Sequence, residues 1–74
     1  MNEASQNVRY EIRIRGVLSD SLLSAFPHLE AAVEEGDTIL SGTLTDQAAL
    51  YGVLAQIEAL GLALLEVGRP RPER

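Results

Sequence analysis

An α+β fold is what the order of residue patterns predicts for this chain: a four-stranded antiparallel sheet with two helices on one face. Three observations carry that prediction. Val8–Val17 alternates apolar and charged residues, as a half-buried strand does. Gly36-Asp37 separates two strand-length segments, as in a hairpin. Thr45–Val67 reads as a capped amphipathic helix running into a short apolar strand.

In chain order, Met1–Asn7 is polar and without period, and is expected to be a disordered terminus. A single domain is expected over 8–68. Its first strand turns Val8, Tyr10, Ile12 and Ile14 to one face and Arg9, Glu11, Arg13 and Arg15 to the other. Leu18–Phe26 is expected to be a short helix. Ser19 would cap it, and Leu18 and Leu23 would form a hydrophobic staple. Pro27 would stop it by forcing Phe26 out of the helical region.

Leu29–Glu35 alternates well enough for a strand, and Thr38–Leu44 is a β-branched run of strand length. The turn between them is expected at Gly36-Asp37. On the second strand of this hairpin Leu40 and Leu44 are expected to face the core, with Ile39, Ser41 and Thr43 facing out. Gly42 interrupts the inner row, which suggests a bulge or a close helix approach.

Thr45 is the expected cap of the long helix, with Asp46 in its first turn. Leu50, Val53, Leu54 and Ile57 follow at helical spacing, with Leu60 at the edge of the stripe. Gly61 is placed to end the helix in a left-handed conformation. Small residues, Ala48, Gly52, Ala55 and Ala59, occupy the opposite face, where a solvated helix usually carries charge. On the last strand Leu65 and Val67 are expected to point inward and Leu64 and Glu66 outward. Residues 69–74, Pro- and Arg-rich, are expected to be a disordered tail. Strand, helix, strand, strand, helix, strand, joined by right-handed crossovers, gives the ferredoxin-like split βαββαβ arrangement with the first and third strands central.

Composition narrows the function. A chain of 74 residues buries little surface and gains from a staple such as a disulfide, a metal or a partner. With no cysteine, a disulfide and a thiolate metal site are excluded, a lone His28 cannot build an imidazole cluster, and no cofactor is expected. His28 reads as an exposed loop residue. The net charge of −5 argues against nucleic acid and anionic membranes as partners. No signal segment or spanning run is evident, so a cytoplasmic protein is expected. Six cationic residues are all arginine, as in GC-rich bacterial genomes.

The segments YEIRIRG (10–16) and DQAALYGVLAQIEALGL (46–62) resemble small bacterial proteins of unknown function, of an actinobacterial type. The resemblance covers Tyr10 to Val67 and implies no activity. In element order the chain is also similar, more distantly, to ACT-type regulatory domains, which bind small ligands at dimer interfaces. Val17-Leu18-Ser19-Asp20 lacks the Gly-rich turn those domains use.

No nucleophile with its base, and no cluster of metal ligands, is spaced for catalysis, so an enzyme is not expected. The reading that remains is a non-catalytic interaction or assembly module forming a homodimer or higher oligomer, with another protein as a possible partner. The alternatives are an ACT-like ligand-binding domain and, behind it, a small dimeric α+β barrel enzyme. Two surfaces are candidates for the interface. One is the open sheet face with Arg9, Glu11, Arg13, Arg15, Ile39, Ser41, Thr43, Leu64 and Glu66. The other is the small-residue helix face at Ala48, Gly52, Ala55 and Ala59. The sheet face is the preferred one, because an uncovered sheet is the larger deficit in so small a chain.

Overall fold

The computed structural model describes residues 8–69. The expectations for residues 1–7 and 70–74 lie outside the described residues. Six elements follow in the expected order: β1 (Val8–Ile14), α1 (Asp20–Leu23), β2 (Glu30–Glu34), β3 (Asp37–Leu44), α2 (Gln47–Ala59) and β4 (Leu64–Gly68). The sheet is open and antiparallel, with strands in the order β2-β3-β1-β4. The two longest strands, β3 and β1, are therefore central.

The core lies on one side of the sheet. Ile12 and Ile14 of β1 and Leu40 and Leu44 of β3 meet Leu50 and Ile57 of α2, with Leu18 and Phe26 closing one end. The alternation along β1 puts its four apolar residues on this side, as expected. Two buried residues in each of the two central strands thus share a core with the apolar stripe of the helix.

The first helix is shorter than expected. Ser19 caps it, accepting from Leu22 N–H at 3.2 Å, but only Asp20–Leu23 is helical. Ser24 then turns its hydroxyl back onto the Ser21 carbonyl at 2.6 Å. That local bond competes with helix propagation, and Pro27 excludes a continuation beyond Phe26. A single turn cannot cover two strands, so all five residues of β2 are exposed.

The hairpin turn is displaced by one residue from the expected pair. Glu34 pairs with Asp37, so the turn is Glu35-Gly36 and Asp37 belongs to β3. Both turn residues have positive φ, 53° at Glu35 and 83° at Gly36. That geometry matches the right-handed twist of the flanking strands. Asp37 is drawn into the strand by bonds described below.

The long helix also starts one residue later. Asp46, not Thr45, is the cap, and its carboxylate accepts from Ala49 N–H at 2.8 Å. A carboxylate there also meets the positive end of the helix dipole, which a threonine hydroxyl does not. The helix ends as expected at Gly61, with φ of 75°. Gly61 N–H donates to the Glu58 carbonyl at 3.0 Å and Leu62 N–H to the Ile57 carbonyl at 3.2 Å. These two bonds are the Schellman pair, and Leu62 packs back against the core.

On β4 a register shift between Arg13 and Ile14 corrects two side-chain placements. Glu66 pairs with Arg13, but Leu64, not Leu65, pairs with Ile14. The extra residue exchanges the faces of the strand below it. Leu64 therefore sits on the helix side, and Leu65 is exposed outside the core rather than inward.

Gly42 sits at a close approach, made by the residues just before β2 and not by a helix. A Cβ there would lie 2.7 Å from Leu29 Cδ2 and 3.3 Å from the His28 carbonyl oxygen. Gly52, on α2, has open space around the same added atom. Gly42→Val is thus expected to destabilise the fold by about 1–3 kcal/mol through overpacking. Gly52→Ala is expected to stabilise it by up to about 1 kcal/mol through helix propensity. Urea denaturation of the two variants beside the parent measures both, and a loss in Gly52→Ala would contradict the open space.

Candidate functional site

The strongest polar constellation joins the end of β1 to the start of β3. Asp37 Oδ1 accepts the Gly16 N–H at 3.1 Å. Thr38 Oγ1 donates to the Gly16 carbonyl at 2.7 Å and accepts from Leu18 N–H at 3.1 Å. Gly16, at φ of 86°, thus has both backbone groups held by adjacent side chains of β3. Arg13 closes the cluster, with Nη1 on Asp37 Oδ2 at 3.0 Å and Nη2 on Glu34 Oε1 at 2.9 Å.

The electrostatics follow from these contacts. The Gly16 N–H, and then the Arg13 guanidinium, hold the Asp37 carboxyl below the usual aspartate range against some desolvation. The hydrogen bond to Asp37, helped by the charge of Glu34, raises the pKa of Arg13. A guanidinium already committed to two carboxylates has little left for an incoming anion. The arginine row of β1 is therefore met by acidic neighbours. Arg9 likewise approaches Glu30 at 3.6 Å and Ser41 Oγ at 3.4 Å.

The sheet face brings its expected residues together in cross-strand rows. Glu66, Arg13, Ile39 and Ala32 form one row, and Glu11, Ser41 and Glu30 the next. Arg9 and Thr43 pair beyond them. Arg15 is exposed past the end of β1. Leu64 does not join this face, because the β4 bulge turns it to the helix side. Ile39 is half-buried and the Arg13 side chain only 26% exposed, so the centre of the face is already covered by its own ion pairs.

Ala48, Gly52, Ala55 and Ala59 are all exposed along α2, as expected for one face. They form a ridge between hollows. Gly52 borders a hollow of about 280 Å³ with Phe26, His28, Leu29 and Val53. Ala55 borders another of about 500 Å³ with Tyr51, Leu54, Glu58, Leu62 and Leu64. A third, of about 530 Å³, lies at the start of α2 beside Val8, Tyr10 and Arg69. Among the described residues no three His, Cys, Asp or Glu side chains gather into a metal-binding group. Among them, too, no helix is long and apolar enough to cross a membrane.

Sequence patterning missed Asp37, Thr38 and Glu34, whose roles depend on Gly16 and Arg13 far along the chain. It also missed the apolar flank of Tyr51, Leu54 and Leu64, which a bulge assembles.

Two measurements check the Gly16 cluster. Thr38→Val keeps the shape but leaves a buried N–H and a carbonyl without partners, so it is expected to lose about 1–3 kcal/mol, and Thr38→Ser much less. Asp37→Asn keeps an acceptor for Gly16 but removes the charge. A folded pKa below the unfolded value of about 3.9 means that ionised Asp37 stabilises the protein above that pH. The contribution is lost as pH falls through the folded pKa. The melting temperatures of parent and Asp37→Asn are therefore expected to differ at neutral pH and to converge in acid. A constant gap from pH 7 to pH 2 would rule this out.

A family model described as Domain of unknown function (DUF8691) matches residues 9–68. Comparison with curated proteins and with solved structures gave no match.

Proposed function

We propose that this chain, which belongs to the DUF8691 family of domains of unknown function, is a non-catalytic interaction module that self-associates. One observation carries the reading: the apolar flank between α2 and the edge strand β4. Tyr51 is 59% exposed and Leu64 44%. Tyr51 and Leu64 line one hollow with Leu54 and Leu62. Exposed large apolar groups gathered in one place mark an interaction surface.

A second copy is the occupant that suits this flank. Its hollow has one ionised lining residue, Glu58, so a two-fold contact opposes few like charges. Burial of the same residues from both copies would enlarge the core of a domain with no disulfide to staple it. This moves the interface from the sheet face to the helix flank. The ion pairs over Ile39 leave the sheet face less apolar surface to bury. The cytoplasmic location and the actinobacterial-type bacterial source belong to the same proposal. An ACT-like ligand role would use an open hollow beside α2, such as the one of about 280 Å³ at His28.

Light scattering across a dilution series gives the test. The parent is expected to be a dimer whose mass hardly changes between low and high salt, as apolar contacts predict. Leu64→Glu and Tyr51→Glu are each expected to give monomers that remain folded, while Arg13→Glu leaves the dimer. A parent that stays monomeric at high concentration overturns the proposal. Loss of the dimer in Arg13→Glu alone, with salt sensitivity, returns the interface to the sheet face.

A further inference from the structure

The edge opposite β4 is formed by β2, Glu30–Glu34, and no element of the described residues covers it. Glu34 and Asp37 flank a two-residue turn, so they form a hydrogen-bonded pair and the pairs alternate from there. The N–H and C=O of Ala31 and Val33 therefore point away from β3. Among the described residues no hydrogen bond outside the strand ladders engages them. The side chains of Ala31 and Val33 lie opposite Leu40 and Thr38, on the side that the shortened α1 leaves bare, and Val33 is 58% exposed. On the other side Glu30 and Glu34 flank Ala32, and both carboxylates remain largely exposed despite their arginine neighbours.

We infer that β2 is a docking edge for an extended segment of a basic protein partner, which adds a fifth strand to the sheet. The partner's chemistry follows from the strand. Main-chain bonds would be made to Ala31 and Val33. Side chains opposite Glu30 and Glu34 stand four residues apart on one strand, so the fitting pattern is basic, apolar, any, apolar, basic. The two apolar residues would cover Ala31 and Val33. The acidic net charge of the whole chain favours the approach of such a segment.

The same carboxylates reject a second copy. Antiparallel pairing of two β2 strands about Ala32 sets Glu30 of each against Glu34 of the other, which is unfavourable. Self-association at β4 and docking at β2 use opposite edges of the sheet. The inference therefore stands independently of the dimer.

The test uses a synthetic peptide containing Arg-Val-Thr-Val-Arg, with a control carrying Glu in place of each Arg, titrated into the full chain. Amide exchange by NMR and calorimetry at low and high salt are the readouts. Slower exchange is expected at Ala31 and Val33, with affinity falling about tenfold or more between low and high salt. The Glu peptide is expected not to bind. Glu30→Lys/Glu34→Lys should weaken binding at least about tenfold. Val33→Pro removes an outward N–H while sparing the ladder, and should also block it. The monomeric Leu64→Glu variant should bind as the parent does, which separates this result from the dimer test. Absence of binding, equal binding of the Glu peptide, or protection confined to another element would each overturn the inference.

Discussion

Holding Gly16 from both sides is the constraint on which much of the fold depends. A chain leaving β1 must turn, cross the sheet and return two strands away. At the turn its backbone has an N–H and a carbonyl that the sheet no longer satisfies. Asp37 and Thr38 supply both partners, and Thr38 also takes the Leu18 N–H. Leu18 is thereby fixed at the mouth of the core, one residue before the Ser19 cap. The same bonds keep Asp37 in β3, which sets the turn at Glu35-Gly36 and the register of the hairpin. Leaving those groups unpaired in a buried place would cost more than any surface ion pair returns.

From that corner the asymmetry of the molecule follows. The crossover spends few residues on helix, because serines and Pro27 end α1 after one turn. One full helix then serves the whole sheet. It reaches the central strands and part of β4, and among the described residues nothing covers β2. The molecule has a well-packed middle and two unlike edges, one apolar beside a helix and one acidic beside a turn.

The regular parts of this arrangement were legible in the sequence because they rest on short-range periodicity. The alternation of Val8–Ile14, the stripe Leu50 to Ile57, the Ser19 cap and the Gly61 stop all concern neighbours within a turn or a strand. The errors occurred where a distant residue decides a local choice. Asp37 looks like a turn residue until Gly16 and Arg13 are beside it. The cap is a different case, since adjacent Thr45 and Asp46 compete for the same amides and the charge decides. The bulge that exchanges Leu64 and Leu65 leaves no mark in a run of leucines, so the apolar flank was not readable, whereas the arginine row of β1 was. Its neutralisation by Glu34 and Asp37 depended on pairing across β3.

The turn at Glu35-Gly36 also bears on the order of folding. It closes a loop of two residues, whereas the bonds to Gly16 close loops spanning 21 and 22 residues. Closing the longer loops carries the larger entropy cost, so the hairpin is the natural first structure. Once formed, it presents Asp37 and Thr38 side by side as a receptor for the end of β1. Glu35 occupies a backbone region that glycine adopts more readily. Relief of that strain by Glu35→Gly should therefore appear in the refolding rate, with unfolding little changed. Stopped-flow kinetics giving the opposite partition would place the docking of β1 before the hairpin.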